Sequence, residues 1–166
     1  TSTDGFNGLT ALDFWVTPSG GLISSLDVTN ATALNSLNTR YNVLTSIDLS
    51  QNTALESFTM RGNRQLNNQP LNTSNNPQLD FLMIDGTGIN SVDLANNPLL
   101  LDVRLYNARL TSLVLDKVLQ DLDAHGLSDG NLQIANQLGG ETITSAASTA
   151  YANLIAKGWT IDVPAP

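Results

Sequence analysis

The hydrophobic positions of this chain recur in a pattern that is neither helical nor simply alternating. Between Leu44 and Asn63, LTSIDLSQNTALESFTMRGN, one unit, LxxLxLxxN, occurs twice end to end. The first copy is Leu44-Ile47-Leu49-Asn52 and the second is Leu55-Phe58-Met60-Asn63. Apolar residues at offsets 0, 3 and 5, with Asn at offset 8, fit neither a 3.6-residue nor a strict two-residue period. They predict a short strand and a tight turn, after which the chain comes round again on the next coil.

Two strand types alternate on this scheme. An A series runs Ile23-Leu26-Val28, Leu44-Ile47-Leu49, Leu71 with Thr73, Ile89-Val92-Leu94 and Leu110-Leu113-Leu115. A B series runs Leu9-Leu12-Phe14, Leu34-Leu37-Thr39, Leu55-Phe58-Met60, Leu79-Leu82-Ile84 and Leu100-Val103-Leu105. Successive B units from Leu34 start 21, 24 and 21 residues apart, and the three extra residues fall in Arg64 to Pro70. Pro70 lacks an N–H, so a local distortion or bulge is expected on that rung. Stacked coils give two parallel ladders with Leu, Ile and Val between them. The offset-8 residues Asn52, Asn76 and Asn97 on one side, and Asn42 and Asn63 on the other, are expected to bond the backbone of neighbouring turns.

The units ISSLDVTNA, LTSIDLSQN, INSVDLANN and LESFTMRGN resemble the leucine-rich repeat family, specifically its short bacterial class of about 21 residues. The resemblance covers Leu9 to Leu115 and implies an α/β leucine-rich-repeat solenoid with two parallel strand ladders. The sequence departs from the family pattern at Asn72 and Val114, where Asp is expected, and at Ala31, Thr87 and Ala108, where Asn is expected.

After Leu115 the pattern changes. Asp116 to Gly126 reads as an amphipathic helix with Asp116 as N-cap and Gly126 as its stop. Asn131 to Ile134 reads as a strand. Thr144 to Lys157 reads as a second helix burying Ala146, Ala150, Leu154 and Ile155, with Gly158 ending it and Trp159 to Val163 as a last strand. This helix–strand–helix–strand cap is expected to cover the open end of the ladders. The domain reading is therefore a tail at 1–8, a solenoid at 9–115, a cap at 116–163 and a tail at 164–166. Thr17 to Gly21 reads as a loop. A chain that opens on Thr1 and closes on Pro164-Ala165-Pro166 is expected to be a processed product or an excised domain. The phrase YANLIAKGWTIDV resembles the closing segment of bacterial surface leucine-rich-repeat proteins, which implies an extracellular or cell-surface setting, or a virion-like fibre.

Charge narrows the partners. The net charge is −8 and only 13% of residues are charged, the opposite of what a nucleic-acid or anionic membrane surface requires. No apolar run is long enough to span a membrane. With no cysteine there are no disulfides, thiolate zinc sites or cysteine nucleophiles.

The two ladders differ on their outward positions. The A side repeats small, hydroxylated or acidic residues: Ser25-Asp27-Thr29, Ser46-Asp48-Ser50, Ser91-Asp93-Ala95. Such monotony fits a structural need met identically on every rung. The B side differs at each rung and carries large residues: Trp15, Arg40, Tyr41, Arg61, Phe81, Met83, Asp85, Arg104 and Tyr106. All five arginines lie on this ladder or just past it, and both lysines lie in the cap. Arg and aromatic residues are the types enriched among interface anchors, and exposed Phe81 and Met83 would leave apolar area in water. These nine residues are the candidate ligand-binding set, for a surface protein or a glycan. The expected function is non-enzymatic recognition or adhesion within a larger surface adhesin or phage-like fibre. The alternative is a structural spacer or oligomerisation domain, such as a trimer within a fibre.

Other chemistry is thin. The Asp27-Asp48-Asp93 column could collect Ca²⁺, but Asn72 interrupts it and neighbouring hydroxyls can satisfy the carboxylates locally. No metal site and no cofactor are expected. His125 is the only histidine and sits at a helix end. No nucleophile–base set is present, and Gly86-Thr87-Gly88 lacks the helix that a phosphate loop needs.

Overall fold

The computed structural model describes residues 8–17, 23–163 and 166. The predicted loop at Thr17 to Gly21 lies outside these residues except for Thr17, as do the N-terminal tail up to position 7 and most of the C-terminal tail. The architecture is an α/β leucine-rich-repeat-type solenoid of parallel strands, ending in a helix–strand–helix–strand unit.

Among the described residues the B side forms a seven-stranded parallel sheet. Its members are β1 (Ala11–Asp13), β2 (Ser36–Asn38), β3 (Ser57–Thr59), β5 (Phe81–Met83), β7 (Asp102–Arg104), β8 (Asn131–Gln133) and β9 (Thr160–Ile161). The register follows the offsets: Leu12, Leu37, Phe58, Leu82 and Val103 stack as partners, all pointing inward. The A side pairs as strands once among the described residues, where β4 (Pro70–Leu71) meets β6 (Ser91–Val92). Elsewhere its coils are tied by isolated backbone bonds, such as Val43 N–H to Ile23 O and Arg109 N–H to Ile89 O. Pro70 opens its strand, a place where a missing N–H breaks no ladder bond. The extra residues of the long coil are taken up in a turn at 64–68, with Asn68 left-handed (φ 55) and Leu66 buried in the core.

The asparagines do what their spacing implies. Asn63 donates to Thr39 O and Met60 O and accepts from Leu44 N–H, joining three strands' worth of backbone. Asn42 makes the same kind of set with Phe14 O, Thr39 O and Ile23 N–H. On the A side Asn52, Asn76 and Asn97 each donate to two carbonyls of the coil before. A buried turn leaves backbone groups facing inward without water, and a side-chain amide is the group that can serve both a carbonyl and an N–H.

The cap begins earlier than the sequence indicates. Helix α1 spans Ser112–His125, so Leu113 is not an inward strand residue; it sits in the first helical turn and is 79% exposed. The helix has its own apolar period at Leu115, Val118, Leu119 and Leu122, all buried, and this face outcompetes the strand pattern. Asp116 is not the N-cap. It is buried inside the helix and accepts from the Thr144 N–H and hydroxyl. Thr111 occupies the cap position without a side-chain bond, and the Glu141 carboxylate accepts from Ser112 instead. Gly126 ends the helix in the left-handed conformation, as predicted.

Helix α2 spans Ser148–Ala156 after a single 3-10 turn at Ser145–Ala147. Ala150 and Leu154 are buried as expected, but Ala147 replaces Ala146 on the inner side and Ile155 is 44% exposed. The tighter turn shifts the phase of the residues that enter the helix. The cap does more than cover the end: β8 pairs with β7 and β9 with β8, so the B ladder continues for two more rungs.

Candidate recognition face

On each B strand, residues flanking the inward one face outward, so register builds columns across coils. One column is Ala11, Ser36, Ser57, Phe81, Asp102, Asn131 and Thr160; the next is Asp13, Asn38, Thr59, Met83, Arg104 and Gln133. Small residues on β1 to β3 and large ones on β5 leave a hollow of about 350 Å³. Its floor is Ala11, Ser36, Asn38, Ser57 and Thr59, and Arg40, Phe81 and Met83 stand at its edges.

Three arginines lie over three aromatic rings, each arginine coming from the coil after the ring. The guanidinium carbons of Arg40, Arg61 and Arg104 are 5.8, 5.9 and 5.3 Å from the ring centroids of Trp15, Tyr41 and Phe81. Each such contact is worth about 0.5–1 kcal/mol at an exposed site. Arg40 also donates to Asn38 Oδ1, and Arg104 makes a two-pronged ion pair with Asp102 at 2.9 and 2.7 Å. Arg61 is exposed and its side chain has no hydrogen-bond partner among the described residues. The Tyr41 ring covers Gly62, where a Cβ would come within 2.6 Å of it, and Tyr41 itself is left-handed (φ 57).

The predicted set is thus drawn together unevenly. Arg40, Phe81 and Met83 border one hollow, Trp15 joins through Arg40, and Tyr41 pairs with Arg61. Tyr106 meets the coil before it through its backbone, accepting from Gly86 N–H. Met83 points outward by offset yet is only 6% exposed, because Thr59 and Arg104 flank it in register. The apolar area that it was expected to leave in water is therefore small.

Electrostatics single out two carboxylates. Burial pulls the Asp102 carboxyl upward, but hydrogen bonds from Arg104 and Asn131 and the Arg104 charge together hold it below its ordinary value. Asp85 goes the other way. It is 7% exposed with one carboxylate oxygen unpartnered, and burial raises its pKa against the lowering pull of Arg61 and Arg104. A carboxyl raised in the fold adds stability below its unfolded value, 3.8, and loses that contribution as pH rises through the folded value. Ionised Asp85 therefore costs stability at neutral pH. Asp85→Asn is expected to stabilise the fold by about 1 kcal/mol at pH 7, the scale of one unsatisfied buried polar group. The gain should vanish below about pH 4; thermal melts across pH check both points.

The A side shows the contrast. Asp27, Asp48, Asn72 and Asp93 each accept the backbone N–H two residues on, closing the same small turn on four successive rungs. The Thr29 hydroxyl and then its N–H lower the Asp27 carboxyl, and the Ser50 N–H and then its hydroxyl lower that of Asp48. Among the described residues no group of three or more His, Asp or Glu could hold a metal ion, and no helix is long and apolar enough to cross a membrane.

Sequence reasoning left Asp102 out of the candidate set and missed Asn131 and Gln133 as parts of this face. It also missed Gln137, which donates to Leu105 O and Ile134 O and accepts from Leu110 N–H in the place of the repeat asparagine.

No family model matches the chain, and no curated protein matches it. Among solved structures, the functional domain of InlJ from Listeria monocytogenes, which includes a cysteine ladder, is similar at a TM-score of 0.48 and 23% identity, over 77% of this chain and 32% of that one. The chain spans about a third of the length of that structure, and it contains no cysteine.

Proposed function

We propose that the chain is a non-enzymatic recognition module that binds a protein through the B ladder, as part of a larger bacterial surface adhesin or phage-like fibre. One observation carries it: arginines lie over aromatic rings on the side where every rung differs, with Arg40 and Phe81 bordering a small-floored hollow, while the other side repeats one turn. Stacking fixes the guanidinium planes before a ligand arrives, which lowers the ordering cost of binding. A protein is favoured over a glycan because Trp15, Tyr41 and Phe81 each already have an arginine over the ring, leaving less ring surface for sugars to stack on. The surface setting follows from the likeness of the closing segment to bacterial surface repeat proteins.

The test is capture of ligands from a cell-surface extract and from a glycan array by the native chain and by the triple variant Arg40→Ser, Arg61→Ser, Tyr106→Ser. The expected outcome is an extract-derived protein whose affinity falls roughly hundredfold in the variant, as for the loss of central anchors, while the variant still melts cooperatively with only the small loss that two cation–π contacts imply. Undiminished binding by the variant would refute the assigned face.

One observation favours a second reading, an assembly domain. On the A side, Leu113 is 79% exposed beside a hollow of about 400 Å³ lined by Val92, Val114 and Ala146. A concentration-independent monomer in sedimentation would remove it.

A further inference from the structure

One residue past the asparagine position, the B-side turns form another column. Arg64 follows Asn63, Gly88 follows Thr87, Arg109 follows Ala108 and Leu138 follows Gln137. These four residues, from successive coils, line one cleft of about 290 Å³. Gly88 leaves the gap open, and no side chain would fit there, since a Cβ would stand 2.5 Å from Leu66 O. The two arginines therefore flank a space two rungs wide, roughly 10 Å between their backbones.

Arg40 and Arg104 have carboxamide or carboxylate partners on their own strands. Arg64 and Arg109 do not: both are exposed, and neither side chain has an ion-pair or hydrogen-bond partner among the described residues. Two like charges share a cleft in a chain of net charge −8 with seven basic residues in all. No ion pair of either guanidinium offsets their repulsion, and an anion between them would. The guanidinium fork fits a planar carboxylate with two parallel bonds. Leu138, 50% exposed at the end of the cleft, adds an apolar contact. No aromatic ring lines the cleft, so a sugar would find nothing to stack on.

We propose that the Arg64–Arg109 cleft binds the carboxylates of an acidic peptide segment, with an apolar residue of that segment resting on Leu138. The site lies outside the hollow described above and does not depend on it.

The experiment is an NMR titration of the arginine Nε–H signals with an acetylated, amidated Glu-Leu-Glu tripeptide. Its Gln-Leu-Gln counterpart and digalacturonate are the comparators. Arg64 and Arg109 should shift together and saturate with the acidic peptide, while the Gln peptide leaves them unmoved. Arg64→Gln and Arg109→Gln should each weaken binding roughly tenfold, the scale of one lost charge-assisted pair. The proposal fails if the acidic peptide does not saturate, if the Gln peptide binds equally, or if either variant binds as the native chain does. Digalacturonate binding as tightly as the peptide would also overturn it and make the cleft a site for acidic sugars.

Discussion

Phe58→Ala is expected to lower stability by about 4 kcal/mol, within the range for truncating a fully buried aromatic. Phe58 is wholly inaccessible and heads the fully buried side chains by volume. It stands in register between Leu37 and Leu82, so its ring fills the inner column where the third coil meets both neighbours. In a solenoid each coil contacts mainly the coils beside it, and a defect in a middle coil weakens two interfaces at once. Phe58→Leu keeps most of the volume and should cost about 1–2 kcal/mol. Urea unfolding followed by circular dichroism separates the two variants. Equal costs would mean that the core collapses around the gap and that the column is not the close-packed element described.

Asn63→Ala is expected to cost about 3 kcal/mol, roughly 1 for each backbone group left unsatisfied. The amide donates at 2.8 Å to Thr39 O and to Met60 O, and its oxygen accepts from Leu44 N–H at 3.1 Å. All these groups are buried, so water cannot replace the side chain. Asn63→Asp should be no better: a carboxylate has no N–H to offer the carbonyls and adds a buried charge. Asn75→Ala is the control. Asn75 is exposed and makes one bond, to Ser50 O at 3.1 Å, so its loss should stay within about 0.5 kcal/mol. The same urea titrations check all three.

The inner side of the solenoid was legible in the sequence because its demands repeat. Coil after coil needs apolar residues at the same offsets, and most turns take a side-chain amide, so Leu37, Phe58, Leu82 and Val103 stack in the order their spacing implies. Where one local period yields to another, legibility stops. Leu110, Leu113 and Leu115 keep the strand offsets, yet the helix face from Leu115 to Leu122 decides the conformation and turns Leu113 outward. The continuation of the B ladder was hidden for a related reason. A 14-residue helix stands where the next A segment would be, so β8 follows β7 at 29 residues instead of 21, counting from Val103 to Leu132. Gln137 can be recognised as the asparagine equivalent only after that register is known.

The candidate face was legible by contrast and not by detail. Rung-to-rung variation pointed to the B side, and the structure places all nine predicted residues on its strands or the turns that follow them. Exposure could not be read from offset, because it depends on the rungs above and below. Met83 and Asp85 are covered by lateral neighbours, while Trp15 on the first rung keeps half its surface open. The arginine–ring pairs join residues 20 to 25 positions apart, and only the stacking of coils brings them within reach.

The most direct measurement compares the two sides of the solenoid for the same ligand. The triple variant Arg40→Ser, Arg61→Ser, Tyr106→Ser alters the B ladder. A matched variant, Ser25→Arg with Ser46→Arg, places two bulky charges on exposed positions of the A side. Surface-plasmon titrations of the captured ligand should give a roughly hundredfold loss for the first and no change for the second. Loss in the A-side variant with binding retained in the B-side variant would contradict the assignment of scaffold and recognition faces.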